Sequence, residues 1–357
     1  MEKKALIAMS GGIDSSVAAY IMKQRGYECI GATMKLFQNE DVGVSREHSC
    51  CSLDDVQDAR SVAYKLNMPY YVYNFADRFA EKVIDNFVGC YEMGITPNPC
   101  IECNRHLKFK YLYDKARELG IDYIVTGHYS DIYFDDSTGR YVLKKAADPA
   151  KDQSYVLYSM TQEQLAHTIF PLASISKTEV RQIAKDNGFV NADKSESQDI
   201  CFVQNGRYAD FIRKYTGSDY PEGDFVDLNG NVLGRHKGII NYTVGQRKGL
   251  GISYAKPLYV VAVNPCNNTV VLGDNSDLFT RELTADNINL ISAERLEKPV
   301  HLKAKIRYKH EEQWATVTQT GDDTIKVVFD EPQRAITRGQ AVVLYDGDIV
   351  VGGGTIM

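Results

Sequence analysis

Three short stretches of the 357-residue chain carry residue types that can do chemistry rather than only pack. The first is Met9-Ser10-Gly11-Gly12-Ile13-Asp14-Ser15-Ser16, which follows the apolar run Ala5–Met9 and opens a helical pattern. Two adjacent glycines let backbone N–H groups approach an anion closely, and a helix N-terminus with serine hydroxyls supplies further donors, so the stretch reads as a phosphate-binding loop. A plain Gly-Gly turn capped by Asp14 or Ser15 is the alternative, and the order strand, loop, helix favours phosphate. The Gly-Lys-Ser/Thr ending of a Walker loop is missing. Asp14 is a candidate ligand for a Mg²⁺ that offsets phosphate charge, and no other metal ligand stands out.

The second stretch, Gly94-Ile95-Thr96-Pro97-Asn98-Pro99-Cys100-Ile101-Glu102-Cys103-Asn104, is a proline-stiffened loop presenting two thiols just before a helix expected to begin near Leu107. With Arg105, His106 and Lys108 close by, a thiol there is placed to favour its thiolate. Half of a zinc site is the competing reading; it needs two more ligands, and adjacent Cys50-Cys51 is a poor pair because neighbouring side chains rarely converge on one tetrahedron. The third stretch, Ser195–Val203, holds the isolated Cys201, which by itself reads as a small core residue.

These stretches need a scaffold. From Lys3 to about Gly217 apolar runs alternate with amphipathic ones, the rhythm of βαβ units around a parallel sheet. Strands are expected at Ala5–Met9, Cys29–Met34, Tyr70–Phe75 and Tyr123–Thr126, and helices at Ser15–Arg25, Asp54–Leu66, Asp77–Glu92, Leu107–Leu119 and Lys177–Asn187. Beyond Gly217 short β-branched runs are separated by Gly, Asn and Asp, which suits small barrels, and Asn229-Gly230 signals a type I′ hairpin. The expectation is an α/β domain over residues 1–216, a small linking β domain over 217–280 and a C-terminal β-barrel over 281–357.

The string Ser10-Gly11-Gly12-Ile13-Asp14-Ser15 resembles the signature of the PP-loop ATP pyrophosphatases, which bind ATP in an adenine-nucleotide α-hydrolase-like fold and adenylate a substrate oxygen. Beside that loop, Asn98–Asn104 and Ser197–Phe202 resemble the cysteine pair of the tRNA-uridine 2-sulfurtransferases, or tRNA-specific 2-thiouridylases. The likeness continues through Thr33-Met34-Lys35, Thr126-Gly127-His128-Tyr129, Lys151–Tyr155, Gly245–Gly251 and Arg307-Tyr308. It implies that ATP is bound by Ala8, Met9, Ser10, Gly11, Gly12, Ile13, Asp14 and Ser15 together with Met34 and Gly127. It implies a persulfide on Cys201, partnered by Cys103 in a transient disulfide. It also implies tRNA contacts at Asn98, Pro99 and Cys100 beside the target base, at Lys151, Asp152 and Gln153, and at Arg307 and Tyr308. The family commonly carries Asp where this chain has Cys100, which leaves the acid/base group at the uracil unassigned.

The implied reaction is ATP-dependent 2-thiolation of the wobble uridine in the anticodon arm of tRNA, with sulfur from a donor protein such as a cysteine desulfurase or sulfur-relay carrier. A small-molecule ligase or amidotransferase of the same loop family, or a Cys-x-x-Cys redox or zinc module, are the other readings. Independently of the resemblance, alternation over His301–Lys309 puts Lys303, Lys305, Arg307 and Lys309 on one strand face, a row fit for phosphates although the net charge is −6. Hydrophobic content of 44% and charged content of 25% are ordinary globular values that exclude a disordered chain. No apolar run approaches the ~18 residues of a membrane span, and no secretion signal is visible, so a cytoplasmic protein with reduced thiols is expected.

Overall fold

The computed structural model describes residues 3–37, 53–194, 200–203 and 206–357. Cys50-Cys51 and the Ser195–Asp199 part of the third stretch lie outside the described residues. The chain divides into two compact units, one of residues 1–83, 100–206 and 347–351 and the other of residues 84–99, 207–346 and 352–357.

In the first unit, β1 (Lys4–Ala8), β2 (Glu28–Lys35), β3 (Tyr70–Asn74), β4 (Tyr123–Val125) and β7 (Thr168–Ile169) form a parallel sheet in the order β3-β2-β1-β4-β7. Central β1 is apolar without alternation because both its faces are covered. Ala5 and Ile7 pack with Val17, Ala18 and Met22 of α1 (Ile13–Gln24). Leu6 points the other way, to Leu112 and Ala116 of the helix Leu112–Glu118. The chain winds from β1 to β2 and β3 on one side, then returns to β4 on the other, so the order reverses at β1 and β4, where a doubly wound sheet opens its ligand crevice at the strands' carboxyl ends. Expected strand positions in this half agree with the observed ones within about two residues. An antiparallel hairpin of β5 (Ser130–Asp135) and β6 (Arg140–Lys145) was not expected from the pattern.

Two helical expectations need correction in detail, and one helix was not expected. The helix expected over Asp77–Glu92 contains a π-helical turn at Ala80–Ile84. The one expected from Leu107 begins at Pro99 and runs as a nine-residue π-helix from Cys103 to Tyr111 before becoming regular. A further helix, Tyr208–Thr216, was missed; its Phe211 and Tyr208 pack edge-on to Phe87 and stacked on Tyr91 in the second unit.

The second unit is β-rich, as the sequence suggests. The strands β8 (Gly223–Val226), β9 (Val232–His236), β10 (Tyr259–Asn264) and β11 (Thr269–Gly273) form a sheet ordered β10-β11-β8-β9 around Phe225, Tyr242, Val260, Val270 and Leu272. The connection from β8 to β9 is not a type I′ turn: of its two central residues only Gly230 has positive φ, at +85°. The Asp227 carboxylate accepts from the N–H groups of Asn229 and Asn231 at 2.9 and 2.8 Å, stabilising a longer Asx-type loop. The barrel joins β12 (Phe279–Leu290), β15 (Thr324–Arg334), β14 (Gln313–Gly321), β13 (Val300–Lys305) and β16 (Ala341–Asp346), and β12 also pairs with the end of β17 (Ile349–Ile356). Gly352 permits that pairing: a Cβ there would lie 2.3 Å from the Asn289 carbonyl oxygen.

Candidate active site

The loop after β1 is built for close approach. Gly11 takes a φ of +77°, and a Cβ on it would lie 2.4 Å from the Asp55 carbonyl oxygen in the helix α2 (Leu53–Lys65). The Ser15 and Ser16 hydroxyls donate to the Gly12 carbonyl at 3.0 and 3.1 Å, and Ser15 Oγ accepts from the Ser10 N–H at 3.2 Å. The buried Asn191 side chain donates to the Gly11 carbonyl and to Ser16 Oγ, both at 2.9 Å. The turn after β4 presses on the same loop: a Cβ on Gly127 would sit 2.8 Å from the Asp14 carbonyl carbon and the Ser15 nitrogen. Gly11, Asp14, Ser15 and Gly127 therefore meet at the switch point of the sheet. Met34 lies one strand away, half-buried near the carboxyl end of β2.

Asp14 Oδ1 accepts from Lys177 Nζ at 2.6 Å and from Tyr129 Oη at 2.7 Å. Lys177 opens the helix Lys177–Asp186, whose start is set by a Ser176–Glu179 capping box, and its side chain is only 11% exposed. Tyr129 is held in turn by Gln153, whose Oε1 accepts from the Tyr129 N–H at 3.0 Å while its own N–H donates to the Tyr129 carbonyl at 2.9 Å. Neither Lys177 nor Asn191 was selected from the sequence; the capping-box spelling marks a helix start but says nothing of a carboxylate 163 residues away. A protein-held Mg²⁺ asks for several oxygen ligands, whereas Asp14 offers one carboxylate that already faces an ammonium. Among the described residues no group of three or more His, Cys, Asp or Glu side chains is placed to hold a metal ion. The residues present do not fit a protein-bound Mg²⁺, and the same observation gives no support to a zinc site built on Cys100 and Cys103.

Cys100 and Cys103 sit within the first turns of the helix rather than ahead of it, Cys100 exposed and Cys103 buried. Wider π-helical turns spread the residues after Cys103, an arrangement common at functional sites. Asn104 is anchored by its amide donating to the Val156 carbonyl at 2.9 Å. Glu102 faces Arg105 at 3.2 Å and His106 at 3.3 Å. Burial works to raise the Glu102 carboxyl, but the His106 hydrogen bond and the charges of Arg105 and His106 outweigh it and hold the pKa below the ordinary range. Further along, the Lys108 ammonium lies 3.4 Å from His128 Nε2. An ammonium can only donate, so Nε2 is the acceptor and the neutral ring carries its proton on Nδ1, donated to Thr126 Oγ1 at 2.7 Å. Burial, reinforced by the Lys108 charge, keeps His128 well below its usual pKa. Cys201 lies half-buried in a turn closed by the Val203 N–H donating to the Ile200 carbonyl at 2.9 Å, and its neighbour Phe202 packs edge-on against Phe79 at 5.7 Å. Cys100, Cys103 and Cys201 all belong to the first unit, whereas Asn98 and Pro99 belong to the second.

The expected RNA contacts divide by structure. Asp152 is engaged inside its own loop, accepting from Ser154 Oγ at 2.7 Å and from the Ala146 N–H at 3.1 Å. Gln153 is likewise engaged, bound to Tyr129. The basic row also changes, because β13 ends at Lys305. Arg307 turns inward, donating to the Ala335 carbonyl at 2.8 Å and the Val244 carbonyl at 3.3 Å, while Tyr308 is exposed beneath the Lys305 ammonium. The strand alternation therefore holds for Lys303 and Lys305 and fails for Arg307, Tyr308 and Lys309.

A parallel sheet with a glycine loop of this spelling at its switch point defines a PP-loop nucleotide-binding domain, here carried with two β modules. Residues 3–205 match the family described as tRNA methyl transferase HUP domain, residues 209–274 its PRC-barrel domain, and residues 280–356 an aminomethyltransferase beta-barrel domain. A tRNA-specific 2-thiouridylase MnmA of Clostridioides difficile is 57% identical over 100% of this chain and 98% of its own length. Proteins of that name from Acetivibrio thermocellus and Clostridium botulinum are 53% and 50% identical, each over 99% of this chain and over 99% and 98% of their own lengths. The chain belongs to the tRNA-specific 2-thiouridylase family.

Proposed function

We propose that the chain is an ATP-dependent tRNA-uridine 2-sulfurtransferase acting on the wobble uridine of the anticodon arm. The observation that carries this reading is the junction of Gly11, Asp14, Ser15 and Gly127 at the sheet's switch point, in a chain that keeps thiols at both family positions, Cys103 and Cys201.

C2 of uracil is a urea-like carbonyl carbon, a poor electrophile whose oxygen leaves badly. Attack of O2 on the α-phosphorus of ATP expels pyrophosphate and makes that oxygen part of AMP, a good leaving group. Backbone N–H groups of Ser10–Ser15 and the Lys177 ammonium beside Asp14 are suited to the triphosphate, with Met34 and Gly127 toward the adenosine. Any Mg²⁺ arrives on the phosphates, not on protein ligands.

The terminal sulfur of a Cys201 persulfide then attacks C2. Cys103 Sγ attacks Cys201 Sγ, the S–S bond breaks with its electron pair left on the transferred sulfur, AMP departs, and a Cys103–Cys201 disulfide remains for a thiol reductant to reopen. Release of free sulfide by Cys103 before attack is an equivalent route to the same products. The base is extruded from the anticodon stack to reach the site, beside Asn98, Pro99 and Cys100. Lys151 and exposed Tyr308 serve the RNA, with Asp152, Gln153 and Arg307 supporting them from within. The sulfur comes from a donor protein of the cytoplasm such as a desulfurase or a relay carrier. Among the described residues no helix is long and apolar enough to cross a membrane.

The test is mass spectrometry of tRNA nucleosides after incubation with protein, ATP and a persulfide donor, with AMP and pyrophosphate counted against 2-thiouridine. Equal amounts of the three products are expected; ADP as the stoichiometric product would sink the reading.

A further inference from the structure

Three carbonyl groups of the nucleotide loop are drawn toward buried side chains. Thr33 Oγ1 donates to the Met9 carbonyl at 2.6 Å, and the Asn191 amide donates to the Gly11 carbonyl and to Ser16 Oγ, each at 2.9 Å. Ser16 Oγ in turn donates to the Gly12 carbonyl at 3.1 Å, so one amino group fixes two consecutive peptide units, the first directly and the second through a hydroxyl. Among the described residues no peptide bond is cis, and in a trans peptide the C=O and the N–H that follows it point in opposite directions. Carbonyls held inward therefore turn the N–H groups of Gly12 and Ile13 outward, and that of Gly12 makes only a long 3.4 Å contact with Ser10 Oγ.

Asn191 is itself firmly placed. It is 2% exposed, and its turn is pinned to α1 by Phe189, which lies edge-on to Tyr20 at 6.3 Å and whose carbonyl accepts from the Ala192 N–H at 3.1 Å. The reverse orientation of the amide would set Oδ1 against the Gly11 carbonyl, two acceptors facing each other, so the amino group is the one that meets the loop. As a result Oδ1 is buried and finds no donor among the described residues. An unpaired buried oxygen is a cost the fold carries for what the amino group does. We propose that Asn191 is a positioning residue for nucleotide binding, aiming the Gly12 and Ile13 N–H groups at the phosphates by holding the two carbonyls behind them. The inference rests on the reading of Ser10–Ser15 as the triphosphate site.

The experiment is calorimetric titration with ATP and Mg²⁺, without tRNA, of the wild-type protein, Asn191→Leu and Asn191→Asp at pH 8.5 and pH 6.0, with the thermal midpoint of each. Leucine keeps the shape and loses the donor, so ATP affinity should fall by about tenfold to a hundredfold, the worth of one hydrogen bond to a charged group. Aspartate tests the donor itself. Ionised, it sets oxygens against the Gly11 carbonyl; protonated, it has one hydrogen to donate there, and burial raises its pKa toward the assay range. Its dissociation constant, divided by that of wild type at the same pH, should be at least tenfold at pH 8.5 and within threefold at pH 6.0. The charged groups around the loop, Asp14 with Lys177, Asp55 and Asp58 with Lys194, and Lys185 with Asp193, are common to both proteins and cancel in that ratio, as does the titration of ATP. A merely structural asparagine would lower the thermal midpoint and leave the ATP affinity of the folded leucine variant within twofold of wild type. That result overturns the inference, as does an aspartate ratio that does not change with pH. Should the leucine variant fail to fold, the aspartate ratio decides alone. If the wild-type protein itself binds no ATP, the functional reading fails instead.

Discussion

Cys100 is exposed, Cys103 buried and Cys201 half-buried; the proposed roles come from the family resemblance, in which Cys201 receives sulfur, Cys103 resolves and Cys100 lies beside the base. Cys201→Ser should abolish 2-thiouridine formation and acquire no extra sulfur, because an alcohol cannot hold a persulfide. Cys103→Ser should load one sulfur on Cys201 and stall, while Cys100→Ser should turn over at a reduced rate. Intact-protein mass after donor loading, with 2-thiouridine yield, distinguishes the three; an inactive Cys100→Ser beside an active Cys103→Ser would reverse the assignment. Lys177 poses a second question at this scale. Replacing it with Met leaves Asp14 with Tyr129 alone at a loop meant for a polyanion, and ATP:pyrophosphate exchange should fall by about a hundredfold, the usual loss when one preorganised donor is removed. Unchanged exchange would confine Lys177 to a structural ion pair.

The elements matter through two loops that touch. Gly11 and Gly26 have nearly the same left-handed φ, +77° and +79°, but a Cβ on Gly26 meets nothing within 4 Å whereas one on Gly11 strikes Asp55. Ala at either position pays the left-handed strain of about 1–2 kcal/mol. Only Gly11→Ala should also displace the loop and lose ATP binding, which calorimetric titration of both variants checks; equal ATP affinity in the two would mean that the close approach is not what the loop needs. The turn after β4 adds a pH dependence through His128. Its folded pKa is depressed far below the ordinary 6.5, so the neutral ring stabilises the fold above that value. As pH falls below 6.5 the unfolded chain takes up a proton that the folded one refuses, and stability declines by up to about 1.4 kcal/mol per unit. Urea unfolding between pH 7.5 and 5.5 should show this slope, and His128→Asn should remove it; a slope retained in the variant would assign the loss to other groups.

For the molecule as a whole, the two β modules of the second unit are tied together by Arg307, which reaches Val244 on one side and Ala335 on the other. Arg307→Met leaves the part-buried Val244 and Ala335 carbonyls without a charged donor and should cost about 1–3 kcal/mol in unfolding free energy. Lys303→Gln with Lys305→Gln should leave stability nearly unchanged and flatten the salt dependence of tRNA affinity, by slightly under one logarithmic unit of slope per lost phosphate contact. Filter binding from 50 to 200 mM salt makes the comparison. A salt slope that responds to Arg307 as strongly as to the lysines would restore the basic row as it reads in the sequence; one that ignores the lysines would remove them from the RNA interface.

How much of this was legible depends on how far apart the interacting residues lie in the chain. The parallel sheet, the glycine loop after its first strand and the β-rich character of the later half rest on local periodicity and turn chemistry, and residues such as Ala5–Met9, Gly11-Gly12 and Asn229-Gly230 state them within a few positions, although the turn type at Asn229-Gly230 was decided by the Asp227 carboxylate. The thiols and their family pattern are likewise visible as words in the sequence. Partnerships are not. Lys177 reaches Asp14 across 163 residues, Asn191 reaches Gly11 across 180, and Lys194 reaches Asp55 across 139, distances over which no periodicity runs. Arg307 reads as one of four alternating cations until the strand ends at Lys305 and the chain turns it inward. Residue type and spacing determined which groups the protein has for its chemistry; the tertiary structure alone decided which of them face one another, because a hydrogen bond or an ion pair depends on where two side chains end in space and not on their separation along the backbone.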